Sequence, residues 1–158
     1  MEEINKAFIS YSGYKDLKDR LNNLDTILIV DDDPVTCFLQ LKLINEMGYK
    51  GRLKEAYHAE GALSYLREIR PAGATSGEAE HMLLLLDIKM PFVDGFEFLE
   101  RLSAAQDINK ENLHISFLTT SMSRRDFERA SSFSIVDFLI KPLTEQKLNH
   151  LLDAIDLC

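Results

Sequence analysis

The sequence predicts a doubly wound α/β fold, an open five-stranded parallel sheet in the order 2-1-3-4-5 with helices on both faces. Three observations lead there. Short apolar runs alternate with segments of helical periodicity, the pattern of a parallel sheet whose crossovers are helices. One run, Met82 to Leu86, has no polar alternation, as a central strand covered on both faces requires. Four runs stop on residues able to handle a phosphoryl group: Ile27 to Val30 on Asp31 and Asp32, Leu83 to Leu86 on Asp87, Phe117 and Leu118 on Thr119, and Phe138 to Ile140 on Lys141 and Pro142. The carboxyl ends of parallel strands share one edge, where ligands of such sheets bind.

Taken in order, the first strand leads into Asp33, placed to cap a helix whose first turn accepts Pro34. Phe38, Leu41 and Met47 recur at helical spacing until Gly48 ends that helix. Arg52 to Tyr57 alternates as a half-exposed edge strand, and Ala62, Leu63, Leu66 and Ile69 form the inner stripe of a helix stopped by Pro71. Residues 71–81 have the small, polar composition of a flexible loop inserted before the third strand. Met90 to Gly95 reads as a turn, with Gly95 suited to a positive φ, and Phe96, Leu99 and Leu102 mark the third helix. A strand over 115–118, a helix over 124–131, a strand over 136–140 and a helix from Thr144 to Leu157 complete five strand-helix pairs. Right-handed crossovers in the predicted order set strands one and three side by side, bringing Asp31, Asp32 and Asp87 together.

The whole chain of 158 residues fits one domain with a substantial core. Residues 1–24 precede it as an amphipathic arm, with Tyr14, Leu17, Leu21 and Leu24 at helical spacing, expected to pack on the domain spanning 25–158. A hydrophobic share of 46% and a charged share of 28% are those of a globular protein. The net charge of −8, with no basic stripe, disfavours nucleic acid as a direct partner. Cys37 and Cys158 match no metal-ligand spacing and are read as reduced thiols. The first residues lack the apolar segment of a secretion signal, and the longest apolar run is far too short to span a bilayer; a cytoplasmic location without membrane insertion is the expectation.

Crowded carboxylates repel one another, and a hard divalent cation such as Mg²⁺ relieves that repulsion through oxygen ligands. A carboxylate can also be the nucleophile of phosphoryl transfer, and Asp87, alone at its strand end, is the candidate. Transfer needs positioned positive charge, which a metal and Lys141 can supply, while Thr119 offers a hydroxyl to the bound phosphoryl group.

The segment Ile27 to Pro34 with its three consecutive aspartates, Leu86 to Pro91 followed by Asp94 and Gly95, Phe117 to Thr119, and Lys141 with Pro142 occur in an order that closely resembles the receiver domain of two-component response regulators. The resemblance covers about 25–158 and implies a flavodoxin-like, chemotaxis-regulator-like switch rather than an enzyme acting on other molecules. It implies that a sensor histidine kinase or histidine phosphotransfer protein donates a phosphoryl group to Asp87. By the same resemblance Asp32 ligates Mg²⁺ directly, Asp31 acts through water, and Lys89 contributes its backbone carbonyl. Lys141 pairs with the phosphoryl group, and Thr119 and Phe138 form the two halves of a switch. Lys89 and Ser121 occupy the positions that tune phosphate lifetime in the family.

Because the last helix reaches the chain end, output is expected through protein contact at the fourth and fifth strand-helix units, with a downstream protein or a second copy as partner. Two other readings fit parts of the sequence. Asp31 to Val35 matches the motif of haloacid dehalogenase-type phosphatases, with Asp31 as nucleophile, and a receiver-like binding module could lack phosphorylation altogether.

Overall fold

The computed structural model describes residues 17–74, 77, 80–120 and 123–155. Its elements alternate: β1 (Thr26–Val30), α1 (Pro34–Glu46), β2 (Arg52–Ala56), α2 (Ala59–Ile69), β3 (Met82–Leu86), α3 (Gly95–Ala104), β4 (Leu113–Thr119), α4 (Arg124–Ala130), β5 (Asp137–Ile140) and α5 (Glu145–Ala154). The strands form one parallel sheet in the order β2-β1-β3-β4-β5, the flavodoxin-like arrangement.

Side chains of successive strand residues point to opposite faces, and this alternation builds two apolar layers. Leu28, Val30, Leu84, Leu86 and Phe117 pack with α2, α3 and Ala130 of α4. Ile27, Ile29, Leu83, Leu85, Leu118 and Leu139 pack with α1 and α5. All five side chains of β3 are buried, and each buried Leu contributes roughly 1.5–3 kcal/mol, so this strand is a rigid mount for whatever follows Leu86.

The helix starts follow the sequence. Asp33 caps α1 by accepting the Val35 N–H at 3.2 Å, Asp94 caps α3 through the Glu97 N–H at 2.9 Å, and Thr144 caps α5 through the Lys147 N–H at 3.2 Å. Three expectations are corrected. The inner stripe of α1 is Cys37, Gln40 and Ile44, whereas Phe38 faces solvent at 63% exposure. Gly95 does not carry a positive φ; among the non-glycine residues described, Phe92 and Asn112 do, at 68° and 55°. The last helix ends at Ala154, where Ile155 turns to extended backbone, and Leu157 lies outside the described residues.

Of the N-terminal arm, residues 17–24 are described. Leu17, Leu21 and Leu24 are buried in the layer shared with α1 and α5, and Arg20 bonds Asp153 at 2.6 Å and Asn149 at 2.9 Å. Tyr14 and the earlier residues lie outside the description. The 71–81 connection is tied at both ends: Pro71 bridges Ile108, and the His81 carbonyl accepts from the Asp25 and Thr26 N–H groups. Beside it the buried Arg70 donates to the carbonyls of Glu80 and Asn109, both at 3.0 Å, and to that of Glu111.

Candidate functional site

The C-terminal edge of the sheet gathers the residues singled out from the sequence. Asp31 and Asp32 follow β1, Asp87 follows β3, Thr119 ends β4 and Lys141 follows β5. Main-chain bonds lock these ends together: the Asp31 N–H donates to Ala56, the Asp87 N–H to Val30 at 2.9 Å, and the Lys141 N–H to Thr119 at 2.7 Å. The Lys141–Pro142 bond is cis, and Lys147 braces the turn by donating to the Ile140 and Pro142 carbonyls.

Asp31 and Asp87 are buried, at 2% and 7% exposure, and Asp32 is exposed. One oxygen of Asp31 accepts the Asp33 N–H at 2.9 Å, and the other meets Lys141 Nζ at 2.5 Å. The same Nζ lies 3.3 Å from Asp87 Oδ2. Burial pushes the Asp87 carboxyl above its ordinary pKa, Lys141 pulls it down, and the negative charge of Asp31 pushes it up again. For Lys141, burial works against the charge, yet the hydrogen bond it donates to Asp31 and the attraction of Asp87 and Asp31 outweigh it and hold the ammonium above its usual range. Cys37, beneath Asp31, is inert by comparison: burial first, and Asp31 next, push its thiol up to about 12.

Thr119 is fully buried, and its hydroxyl has no hydrogen-bond partner among the described residues. An unpaired hydroxyl in such a place costs about 1–3 kcal/mol. Asp31, Asp32 and Asp87 each offer a carboxylate oxygen within 4.8 Å of the others. Three oxygens and no nitrogen or sulfur form the donor set of a hard cation, and the residues present fit Mg²⁺.

Lys89 lies exposed on the loop after Asp87, and its N–H hydrogen-bonds the Asp87 carboxyl. Phe138 is half-buried on β5 with its ring 5.4 Å from Phe117, which in turn lies 5.1 Å from Phe96 of α3. This aromatic row runs from the edge strand β5 across β4 to helix α3. Ser121 lies outside the described residues. Gly95 has a role the sequence reading missed: a Cβ there would stand 2.5 Å from the Asp87 carbonyl oxygen, so the residue is required by close approach of the start of α3 to the end of β3. Only contact across the loop reveals this.

Comparison with known proteins places this geometry. The family model of the response regulator receiver domain matches residues 27–153. The chain is 31% identical over 129 residues to the probable methanogenesis regulatory protein FilR2 of Methanothrix harundinacea, covering 82% of this chain and 79% of that one. It is 26% identical over 125 residues to the two-component response regulator ARR2 of Arabidopsis thaliana, covering 79% of this chain but spanning only 17% of that longer protein. The crystal structure of a two-component response regulator from Cytophaga hutchinsonii superimposes with a TM-score of 0.70 at 24% identity, covering 82% of this chain and 95% of that one, a likeness of fold. Among the described residues no helix is long and apolar enough to cross a membrane. With its buried carboxylates and lysine at the carboxyl edge of a 2-1-3-4-5 sheet, the chain belongs to the response regulator receiver domains, the receiving modules of two-component signalling.

Proposed function

We propose that the chain is a phosphoaspartate switch in which Asp87 accepts a phosphoryl group from a phosphohistidine on a sensor histidine kinase or a histidine phosphotransfer protein. The observation that carries this reading is the convergence of Asp87, the Lys141 ammonium 3.3 Å away and the unpartnered Thr119 hydroxyl at one strand edge. An ionised Asp87 oxygen attacks phosphorus, an O–P bond forms as the N–P bond breaks, and the imidazole leaves to take a proton from solvent. Lys141, already paired with Asp31 and Asp87, turns to the phosphoryl oxygens and stabilises their growing charge. Thr119 donates its hydroxyl to one of those oxygens and so gains the partner it lacks.

Asp31, Asp32, Asp87 and the Lys89 carbonyl would hold Mg²⁺. When bound, Mg²⁺ supplies positive charge that lets three carboxylates share the edge with a phosphoryl group. Inward movement of Thr119 leaves room that Phe138 follows along its contact with Phe117, altering the face formed by α4, β5 and α5. That face carries a cleft of about 340 Å³ lined by Phe127, Phe133, Ile135 and Phe138, and a downstream protein or a second copy would read the change there. A cytoplasmic setting and a role without turnover of other substrates belong to the same reading.

Mass spectrometry after incubation with acetyl phosphate and Mg²⁺, with a phosphohistidine protein as control donor, tests the reading. An adduct on Asp87 supports it. An adduct on Asp31 would favour the dehalogenase-type phosphatase, and none from either donor an inert binding module. Both Asp31 oxygens are already engaged by the Asp33 N–H and Lys141, which weighs against Asp31 as nucleophile. Lys89 is proposed to set the adduct's lifetime together with Ser121; a Lys89→Ala variant whose adduct decays at the parent rate removes that role. Titrating Mg²⁺ against thermal unfolding is expected to stabilise the parent by up to about 2.7 kcal/mol at a hundred times Kd, and Asp32→Asn far less.

A further inference from the structure

Phe92 combines two unfavourable features. Its φ of 68° lies in the left-handed region, which for a bulky side chain is a true outlier, whereas the other non-glycine residue described there, Asn112, is of a type that tolerates it. The Val93 N–H donates to the Pro91 carbonyl at 2.8 Å across it, closing a three-residue turn of the rare, strained hand. The ring is also fully exposed, at 102%. At that exposure the ring is not covered by any described residue, and strain of this kind concentrates at functional positions.

The place of this ring is fixed by the site. Its loop begins right after Asp87 and is pinned against it, the Gly95 N–H donating to the Ile88 carbonyl at 2.8 Å and the missing Cβ of Gly95 leaving room for the Asp87 carbonyl. Across the same edge, the outward stripe of α1 is apolar where it leaves the acidic pocket, with Val35, Phe38 and Leu39 exposed at 66%, 63% and 59%. Further from the pocket the stripe turns charged, with Lys42 and Glu46 paired at 3.8 Å. Exposed apolar groups gathered around one pocket mouth mark a contact surface.

From this arrangement we infer that Phe92 is a specificity-determining anchor that inserts into an apolar depression on the protein carrying the phosphohistidine, beside the α1 stripe. This rests on the reading of Asp87 as phosphoacceptor. A protein donor must bring its imidazole against Asp87 and so cover the rim, whereas a small phosphodonor has no surface to reach Phe92. The output partner is assigned elsewhere, since the α4–β5 cleft has its own exposed aromatic, Phe127. The strained turn holds the ring outward before docking, so little freedom is lost on binding.

The experiment uses the full chain and two variants, Phe92→Gly and Phe92→Asn, both of which accept the left-handed backbone. Histidine kinases and phosphotransfer proteins purified from the source genome and labelled on histidine are screened against the parent, and the fastest is the probe. Both variants are expected to lose roughly ten-fold or more in the second-order rate of transfer from that probe, as deletion of an aromatic anchor predicts. Their labelling by acetyl phosphate and their thermal midpoints are expected to stay at or above the parent's. Transfer from the protein donor at the parent rate overturns the inference. A fall in midpoint together with equal losses from both donors overturns it too, because Phe92 would then be structural. If the parent itself takes no label on Asp87, the phosphoacceptor reading fails first, an outcome visible without any variant.

Discussion

The two ends of the sheet bury charge in opposite ways. At the N-terminal edge Arg70 is buried, but its guanidinium is matched to the carbonyls of Glu80, Asn109 and Glu111, and His81 and His114 pair their ring nitrogens at 3.1 Å. At the C-terminal edge Asp87 is held above its ordinary pKa mainly by burial, and Thr119 has a buried hydroxyl with no partner among the described residues. The first edge satisfies its buried charge with loop carbonyls; the second leaves a buried carboxyl disfavoured in its charged form. Burial of polar groups thus distinguishes structure from chemistry only once their partners are counted.

The largest expected effect is at the reactive edge. Asp87→Asn should abolish the phosphoryl adduct in mass spectrometry while making the metal-free protein more stable at neutral pH. Burial raises the carboxyl's folded pKa above its ordinary 3.8, so the folded chain holds this proton more tightly than the unfolded one. The stability the group confers is complete below the unfolded value and is lost as pH rises through the folded one. Urea unfolding across a pH series should therefore show the advantage of Asp87→Asn widening from acid to neutral.

The opposite edge should respond in the opposite sense. Arg70→Met leaves three carbonyls short of donors and is expected to lose roughly 2–4 kcal/mol in urea unfolding with acetyl phosphate labelling intact. Equal losses of stability and labelling would break the contrast between the edges. Between these extremes, Gly95→Ala drives a methyl group against the Asp87 carbonyl and should cost about 1–3 kcal/mol while slowing labelling, since the backbone that must shift carries Asp87. The smallest effect on stability sharpens the comparison most. Thr119→Val removes an unpartnered hydroxyl at constant shape, so its unfolding midpoint should match or exceed the parent's within about 0.5 kcal/mol, while its rate of labelling falls.

The strands and their terminal residues were legible because they obey local rules: β3 is apolar throughout, and Asp31, Asp32, Asp87, Thr119 and Lys141 sit at the ends of such runs. Alternation and handedness imply a doubly wound parallel sheet, and 2-1-3-4-5 is one of the two common strand orders of such sheets. The inner face of α1 was legible only in part: Leu41 and Met47 pack on the core as their spacing implies, but Phe38 joins Val35 and Leu39 on an exposed face that is itself apolar. The positive φ was assigned to Gly95 by residue type, but tertiary contact with Asp87 set the need for glycine there, and the left-handed residue was Phe92. The Arg70 clamp depends on segments around 80 and 109–111 meeting in space, which no window of sequence contains.

The helical turn at 17–21 has a practical consequence for anyone cutting this chain. The family match begins at Ile27, and a clone trimmed to 27–153 would discard Leu17, Leu21 and Leu24 together with the Arg20 tie to α5. The apolar surface those leucines cover in the layer shared with α1 and α5 would then meet water, and such a fragment should come out of solution where the longer chain does not.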